Sequence, residues 1–216
     1  MGISQMLMKL AEGMATSCWI FGITLLFSLP LGMVIAFGRM SKKRIVQGIT
    51  KIYISIMRGT PLMLQLMVVY FGPYYLFGIK ISPFYRNIAV VIGFVLNYAA
   101  YFAEIFRGGI LAIPKGQYEA AKMLKLSPFQ TIRYIILPQV VKIVLPSIFN
   151  EIINLVKDSS LVYVLGVGDL LLESRTAANR DATLAPMFVA GAIYLILVGV
   201  VTVASKHIEK KFNYYK

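Results

Sequence analysis

Charge-free apolar runs of membrane length constrain this chain more than any other feature. Met14 to Gly38 contains no charged residue and exceeds the roughly 20 residues that a helix needs to cross a hydrocarbon core. The run is too long for the core of a signal peptide and has no clear small-x-small cleavage site, so it reads as a spanning helix kinked at Pro30. A second charge-free run extends from Pro61 to Ile79, with Pro61 suited to a first helical turn. A third runs from about Ile88 to Phe106, and a last from about Ala182 to Ser205. Between these two, Ile135 to Val156 is apolar but broken by Pro138, Lys142, Pro146, Asn150, Glu151 and Asn154. In lipid the backbone must satisfy its own hydrogen bonds, which makes such segments helices. The predicted fold class is all-α: a polytopic membrane protein with five transmembrane helices, its residues 1–216 forming one domain.

The charge pattern orients it. Only 14% of the residues are charged, against about 25% in soluble domains, yet the net charge is +13. Arg39, Lys42, Lys43, Arg44, Lys51 and Arg58 crowd the first connection; Arg107, Lys115, Lys122, Lys125 and Arg133 the third; Lys206, Lys210, Lys211 and Lys216 the tail. The N-terminus and the other connections carry few cations, and in the fourth connection Arg175 and Arg180 are offset by Asp169, Glu173 and Asp181. The positive-inside rule then places the N-terminus outside and the C-terminus in the cytoplasm of a cell-membrane protein. Topology accounts for the excess charge and leaves none that calls for nucleic acid. The one cysteine, Cys18, cannot form an internal disulfide, and the one histidine, His207, leaves a metal without a ligand set.

Two acids interrupt the apolar spans, Glu104 and Glu151. A carboxylate at that depth costs roughly 2.5–3.5 kcal/mol on insertion scales, so it faces a protein interior or an aqueous path. Asn97, Tyr101, Glu104 and Gly108 follow spacings of four, three and four and share one helix face; Ser147, Glu151, Asn154 and Asp158 repeat the pattern, with Asn150 at the edge. Two such stripes face to face would form a pocket at membrane depth. Simpler readings stand beside this one. Glu104 can pair with Arg107, Asp158 can cap a helix or pair with Lys157, and Tyr98, Phe102 and Phe106 suit packing or interfacial anchoring. Glu151 has no cation three or four residues away on its helix.

The third connection reads as a short helix, Tyr118 to Leu124, stopped by Ser127-Pro128. Its small pair Ala120-Ala121 would admit a close surface, with Glu119 as a charge for a partner. The segment Glu119-Ala120-Ala121, followed by Ile136-Leu137-Pro138, resembles the EAA loop of the membrane subunits of ATP-binding cassette importers. Arg58-Gly59-Thr60-Pro61, Ala103 to Ile110, Lys115-Gly116-Gln117 and Lys157-Asp158-Ser159-Ser160-Leu161 extend the resemblance over nearly the whole chain, to the permeases for polar amino acids such as arginine, histidine and glutamine. The chain departs from the pattern at Lys125, where the family usually has glycine. If that position is left-handed, lysine costs of order 1 kcal/mol.

The resemblance implies a type I ABC importer permease fold, with a coupling loop at about 110–134 in which Gln117, Glu119, Ala120, Ala121 and Lys125 dock onto a cytoplasmic ATPase dimer. ATP and magnesium would belong to that ATPase; the chain has no phosphate loop, Gly166-Val167-Gly168 being only a fragment of one. No cofactor is expected on the chain itself, and it is not expected to be an enzyme. A second copy of the chain, or a sister permease, and an extracellular solute-binding protein complete the implied assembly. A carboxylate without a partner favours a cationic ligand, so arginine is expected ahead of lysine and histidine, with glutamine or another polar amino acid as the alternative. In this reading Glu151 and Glu104 take the cationic groups. Asn97, Tyr101, Asn150 and Asn154 supply hydrogen bonds, and Ser159 and Ser160 hold the carboxylate. A proton-coupled secondary transporter using Glu104, Glu151 and Asp158, and a non-transporting adaptor, are the rival classes. Periodicity leaves Asp158 to Asp181 unassigned, as a short re-entrant or external helix.

Overall fold

A computed structural model describes residues 3–212; Lys216 of the basic tail lies outside them. The regular structure of the described residues is helical throughout. Four helical stretches are long and apolar enough to cross a membrane: Ser4–Arg39, Phe84–Leu111, Pro128–Leu165 and Ala185–Phe212. They correspond to α1 (Ile3–Arg39), α4 (Pro83–Leu111), the run ending in α7 (Leu137–Asp158), and α9 (Ala185–Phe212). Pro30 lies inside α1, which begins well before Met14.

The remaining span is bent. Helices α2 (Arg44–Gly59) and α3 (Leu62–Phe77) meet at 110°, so the basic stretch read as a connection is itself helical. Arg44, Lys51 and Arg58 recur at every seventh position and share a face, while Ile45, Ile49, Ile52 and Ile56 form an exposed apolar face. Averaged hydropathy hides a helix of this kind. Helix α3 has 16 residues, about 24 Å at 1.5 Å per residue, short of a core about 30 Å thick. Four spans are therefore present, or five if the bent pair counts as one. Thr60 is extended (φ −124°, ψ 150°), as a residue before proline tends to be. Pro61 caps α3 and does not enter its first turn.

Helix α5 (Lys115–Met123) starts before Tyr118 and ends without help from Ser127-Pro128. Its end is turned by Lys125, at φ 55°. Ser127 and Pro128 instead open the next helix. The Ser127 hydroxyl accepts from the Gln130 N–H, and the Ser127 N–H donates to Gln130 Oε1, a reciprocal cap. From there α6 (Pro128–Gln130) runs through a π-helical turn (Thr131–Ile136) into α7, which continues as a 3₁₀ turn (Ser159–Leu165). Gly166 (φ 68°) reverses the chain into α8 (Leu170–Asp181), capped by the Asp169 carboxylate at the Leu171 and Leu172 N–H groups. This turn and short helix occupy the region that periodicity left unassigned.

Helix α4 is central. Gly32 of α1 packs on it so closely that a Cβ there would lie 2.8 Å from Phe102 Cβ and 3.0 Å from the Ala99 carbonyl oxygen. Gly109 does the same towards α7, where a Cβ would run into Val144 Cγ1. The core thus fixes α4 and α7 side by side with their polar stripes adjacent. Phe102 and Phe106 are buried in that core, as packing predicts.

Candidate functional site

The stripes meet across a cavity of about 520 Å³ that opens beside the α2–α3 bend. Asn97 and Tyr101 line it from α4, and Glu151, Asn154, Lys157 and Asp158 from α7; Thr60, Pro61 and Leu62 close it at the bend. The Tyr98 hydroxyl donates to Asp158 Oδ2 at 2.7 Å. Its ring is buried and stacks nearly parallel to Phe94, so Tyr98 both packs and lines the cavity. Asp158 therefore has a tyrosine partner on α4, where a cap or a pair with Lys157 was the simpler expectation. Asn154 lies within hydrogen-bonding reach of Glu151.

Arg58 supplies what the sequence did not suggest. Its guanidinium carbon stands 5.2 Å from the Tyr101 ring centroid, a cation–π arrangement, and within electrostatic reach of Glu151. Glu151 thus has a cation nearby from another helix, and the premise of an isolated carboxylate is corrected. The cavity wall holds two acids and Lys157, and Arg58 adds a second cation behind Tyr101 and within electrostatic reach of Glu151, a charge pattern suited to a zwitterion.

Four residues expected here do not line the cavity. Glu104 forms a forked pair with Arg107, with Nη2 to Oε2 at 2.6 Å, and lies 3.9 Å from Arg39 on α1. The simpler reading describes its position. Asn150 is exposed on α7. Ser159 is buried beside a separate small cavity with Ser17 and Tyr194, its hydroxyl donating to the Val156 carbonyl. The Ser160 hydroxyl donates to the Lys157 carbonyl. Asn97 does line the cavity, but its amide nitrogen donates to the Met57 carbonyl and to Gln65 Oε1. Sequence reasoning did not assign Arg58, Gln65 or Lys157 to the site. The first was counted as topology, and the second is a lone amide in an apolar run with no stripe to mark it.

On α5, Gln117, Glu119 and Ala120 are exposed, as is Lys125 beyond its end, while Ala121 is buried against the chain itself. Gln139 Nε2 donates to Gln117 Oε1 at 3.3 Å and ties the start of α5 to α7. Met123, Leu124, Phe129 and Ile132 add an exposed apolar surface.

Residues 28–214 match the family described as binding-protein-dependent transport system inner membrane component. A Rickettsia felis protein carrying the provisional name glutamine transport system permease protein GlnP is 41% identical over 190 residues, 88% of this chain and 86% of its own. The Bacillus subtilis arginine transport system permease protein ArtQ is 40% identical, over 94% of this chain and 91% of its own. Among solved structures, an amino acid ABC transporter crystallised with histidines superposes with a TM-score of 0.87 at 30% identity, over 97% of this chain and 96% of that one. The MetNI methionine transporter, at 19% identity and a TM-score of 0.74, shares the fold. The architecture is the type I ABC importer permease fold, a multi-pass transport subunit and not an enzyme. The chain belongs to the family of binding-protein-dependent transport system inner membrane components.

Proposed function

We propose that the chain forms the membrane pathway of an ATP-driven importer of polar amino acids, with basic side chains preferred. The observation that carries this reading is the pair of acids, Glu151 and Asp158, in one cavity beside Tyr101 and Asn154. The acids take the ammonium and a cationic side chain, and the neighbouring hydroxyl and amide orient them. Glu104, Asn150, Ser159 and Ser160 are left out of the binding set because they stand outside this cavity. Arginine is the preferred cargo, in keeping with the name of the Bacillus subtilis relative. Glutamine is the second reading, favoured by Arg58, which offsets the charge of Glu151, and by the name of the Rickettsia felis relative.

The exposed face of α5, with Gln117, Glu119, Ala120 and Lys125, is the docking surface for a cytoplasmic ATPase dimer that holds the ATP and magnesium. The basic side of the protein then faces the cytoplasm and the N-terminus lies outside. Two copies of the chain, or one copy and a sister permease, enclose the pathway, and an extracellular solute-binding protein delivers the cargo. Alternating access follows from rocking the helices between two packed arrangements.

The test is uptake by vesicles reconstituted with the chain, its ATPase and the binding protein, comparing arginine with glutamine, with and without a proton uncoupler. Uncoupler-resistant, ATP-dependent uptake that prefers arginine, and loses that preference in Glu151→Gln, is expected. Preference for glutamine in the wild type would select the second reading. Uncoupler-sensitive uptake without ATP would replace the importer with a proton-coupled transporter.

A further inference from the structure

The break between α2 and α3 opens a hole in the hydrogen-bond ladder at the edge of the cavity. In a continuous helix the Met57 carbonyl would accept from the N–H four residues on. That residue is Pro61, which has none. A backbone carbonyl left open at membrane depth is costly, and two side-chain amides fill the gap. Gln65 Nε2 and Asn97 Nδ2 donate to the Met57 carbonyl oxygen at 3.0 and 3.1 Å. Asn97 Nδ2 also donates to Gln65 Oε1 at 3.0 Å, and Gln65 Nε2 reaches the Thr60 carbonyl and hydroxyl oxygens at 3.1 and 2.7 Å. The Thr60 hydroxyl donates back to the Ile56 carbonyl at 2.8 Å. Together these bonds tie the end of α2 to α3 and to α4.

Both amide hydrogens of Asn97 are engaged in this network, which leaves it no donor for a ligand. The next residue after Met57 is Arg58, whose guanidinium lies over Tyr101 and donates no hydrogen bond among the described residues. A guanidinium offers a planar fork that matches a carboxylate two bonds at a time. It lies over Tyr101, which lines the cavity, and within electrostatic reach of Glu151 in the cavity wall and of Glu104 outside it. Lys157, in the cavity wall, offers only a point charge on a flexible stem.

We propose that Gln65 and Asn97 are positioning residues that hold the α2–α3 elbow, so that Arg58 takes the α-carboxylate of the substrate. This rests on the reading of the cavity as an amino-acid site. It makes the elbow a specificity device, selecting the free α-carboxylate whatever the side chain.

The membrane subunit co-purified with its ATPase in lipid nanodiscs, without the binding protein, is titrated with arginine and glutamine and with the α-carboxamide of each. The wild type is expected to prefer the free acid. Arg58→Ala should weaken the acid by about tenfold or more, the scale of a lost hydrogen bond to a charged group, and leave the amide unchanged. Gln65→Ala and Asn97→Leu should each reduce the same acid-over-amide preference, and adding Gln65→Ala to Arg58→Ala should cost nothing further. Asn97→Leu keeps roughly the volume, loses the donors and adds no charge, so it tests positioning even if Gln65→Ala fails to assemble. An acid preference that survives Arg58→Ala, or that vanishes only in Lys157→Ala, would overturn the assignment of the carboxylate. Equal weakening of acid and amide in both elbow variants would make the clamp merely structural and overturn the positioning role. A wild-type complex that binds none of the four ligands would sink the cavity reading and this inference with it; binding with the wrong pattern sinks the inference alone.

Discussion

Tyr98 on α4 donates its hydroxyl to Asp158 at the end of α7, a 2.7 Å bond that joins the two helices across the cavity. Removing the donor in Tyr98→Phe leaves a partly buried carboxylate short of a partner, at about 1.5–3 kcal/mol for a hydrogen bond to a charged group. For a chain of this size roughly 2–4 °C of melting temperature follows each kcal/mol. Thermal unfolding of the assembled complex measures the loss.

Glu104→Gln should separate structure from recognition. The carboxylate ties Arg107 on its own helix and Arg39 on α1, away from the cavity. The substitution is expected to lower stability by about 1 kcal/mol, since these side chains keep some contact with solvent. The ratio of arginine to glutamine uptake should stay that of the wild type. A changed ratio would return Glu104 to the binding set.

Helix α1 offers a paired comparison. Gly32→Ala forces a methyl group against Phe102 and the Ala99 carbonyl oxygen and should cost about 1–3 kcal/mol through overpacking. Gly22→Ala meets nothing within 4 Å and should be neutral or slightly stabilising, because alanine is the better helix former. Melting temperatures of the two variants decide it.

Asp169 sets a pH dependence. Burial pushes its carboxyl above the usual range, against the pull of the Leu171 and Leu172 N–H groups. An acid whose value is higher folded than unfolded costs nothing while protonated in both states, and destabilises as pH rises through the ordinary value near 4 and then the raised one. The stability of the wild type relative to Asp169→Asn should therefore be greatest at low pH and shrink as pH rises over that window. Melting temperatures of both proteins across the window check the sign.

Much of this was legible because a membrane simplifies the code. A charge-free run such as Met14 to Gly38 has few alternatives to a helix, and the four-three-four spacing of Asn97, Tyr101, Glu104 and Gly108, or of Ser147, Glu151, Asn154 and Asp158, marks a face before any partner is known. The pairing of Glu104 with Arg107 was likewise readable as a three-residue separation. Periodicity says nothing of contacts between helices. Tyr98 meeting Asp158, Arg58 lying over Tyr101 and Gln65 bonding Asn97 all join distant segments, so none could be read from one helix alone. Helix α2 escaped for a different reason: its regularly spaced cations lowered the average hydropathy, although the same spacing is what a helix with one charged face requires.

The helical stretch from Pro128 to Leu165 contains a π turn but no break in its helical run. About 45 Å, at 1.5 Å per residue, separates its capped start at Ser127 from Asp158. A rod of that length is a lever: a tilt of about 5° pivoting at one end displaces the other by roughly 4 Å, enough to break a hydrogen bond. A rotation at the Ser127 end would then move Asp158 relative to Tyr98.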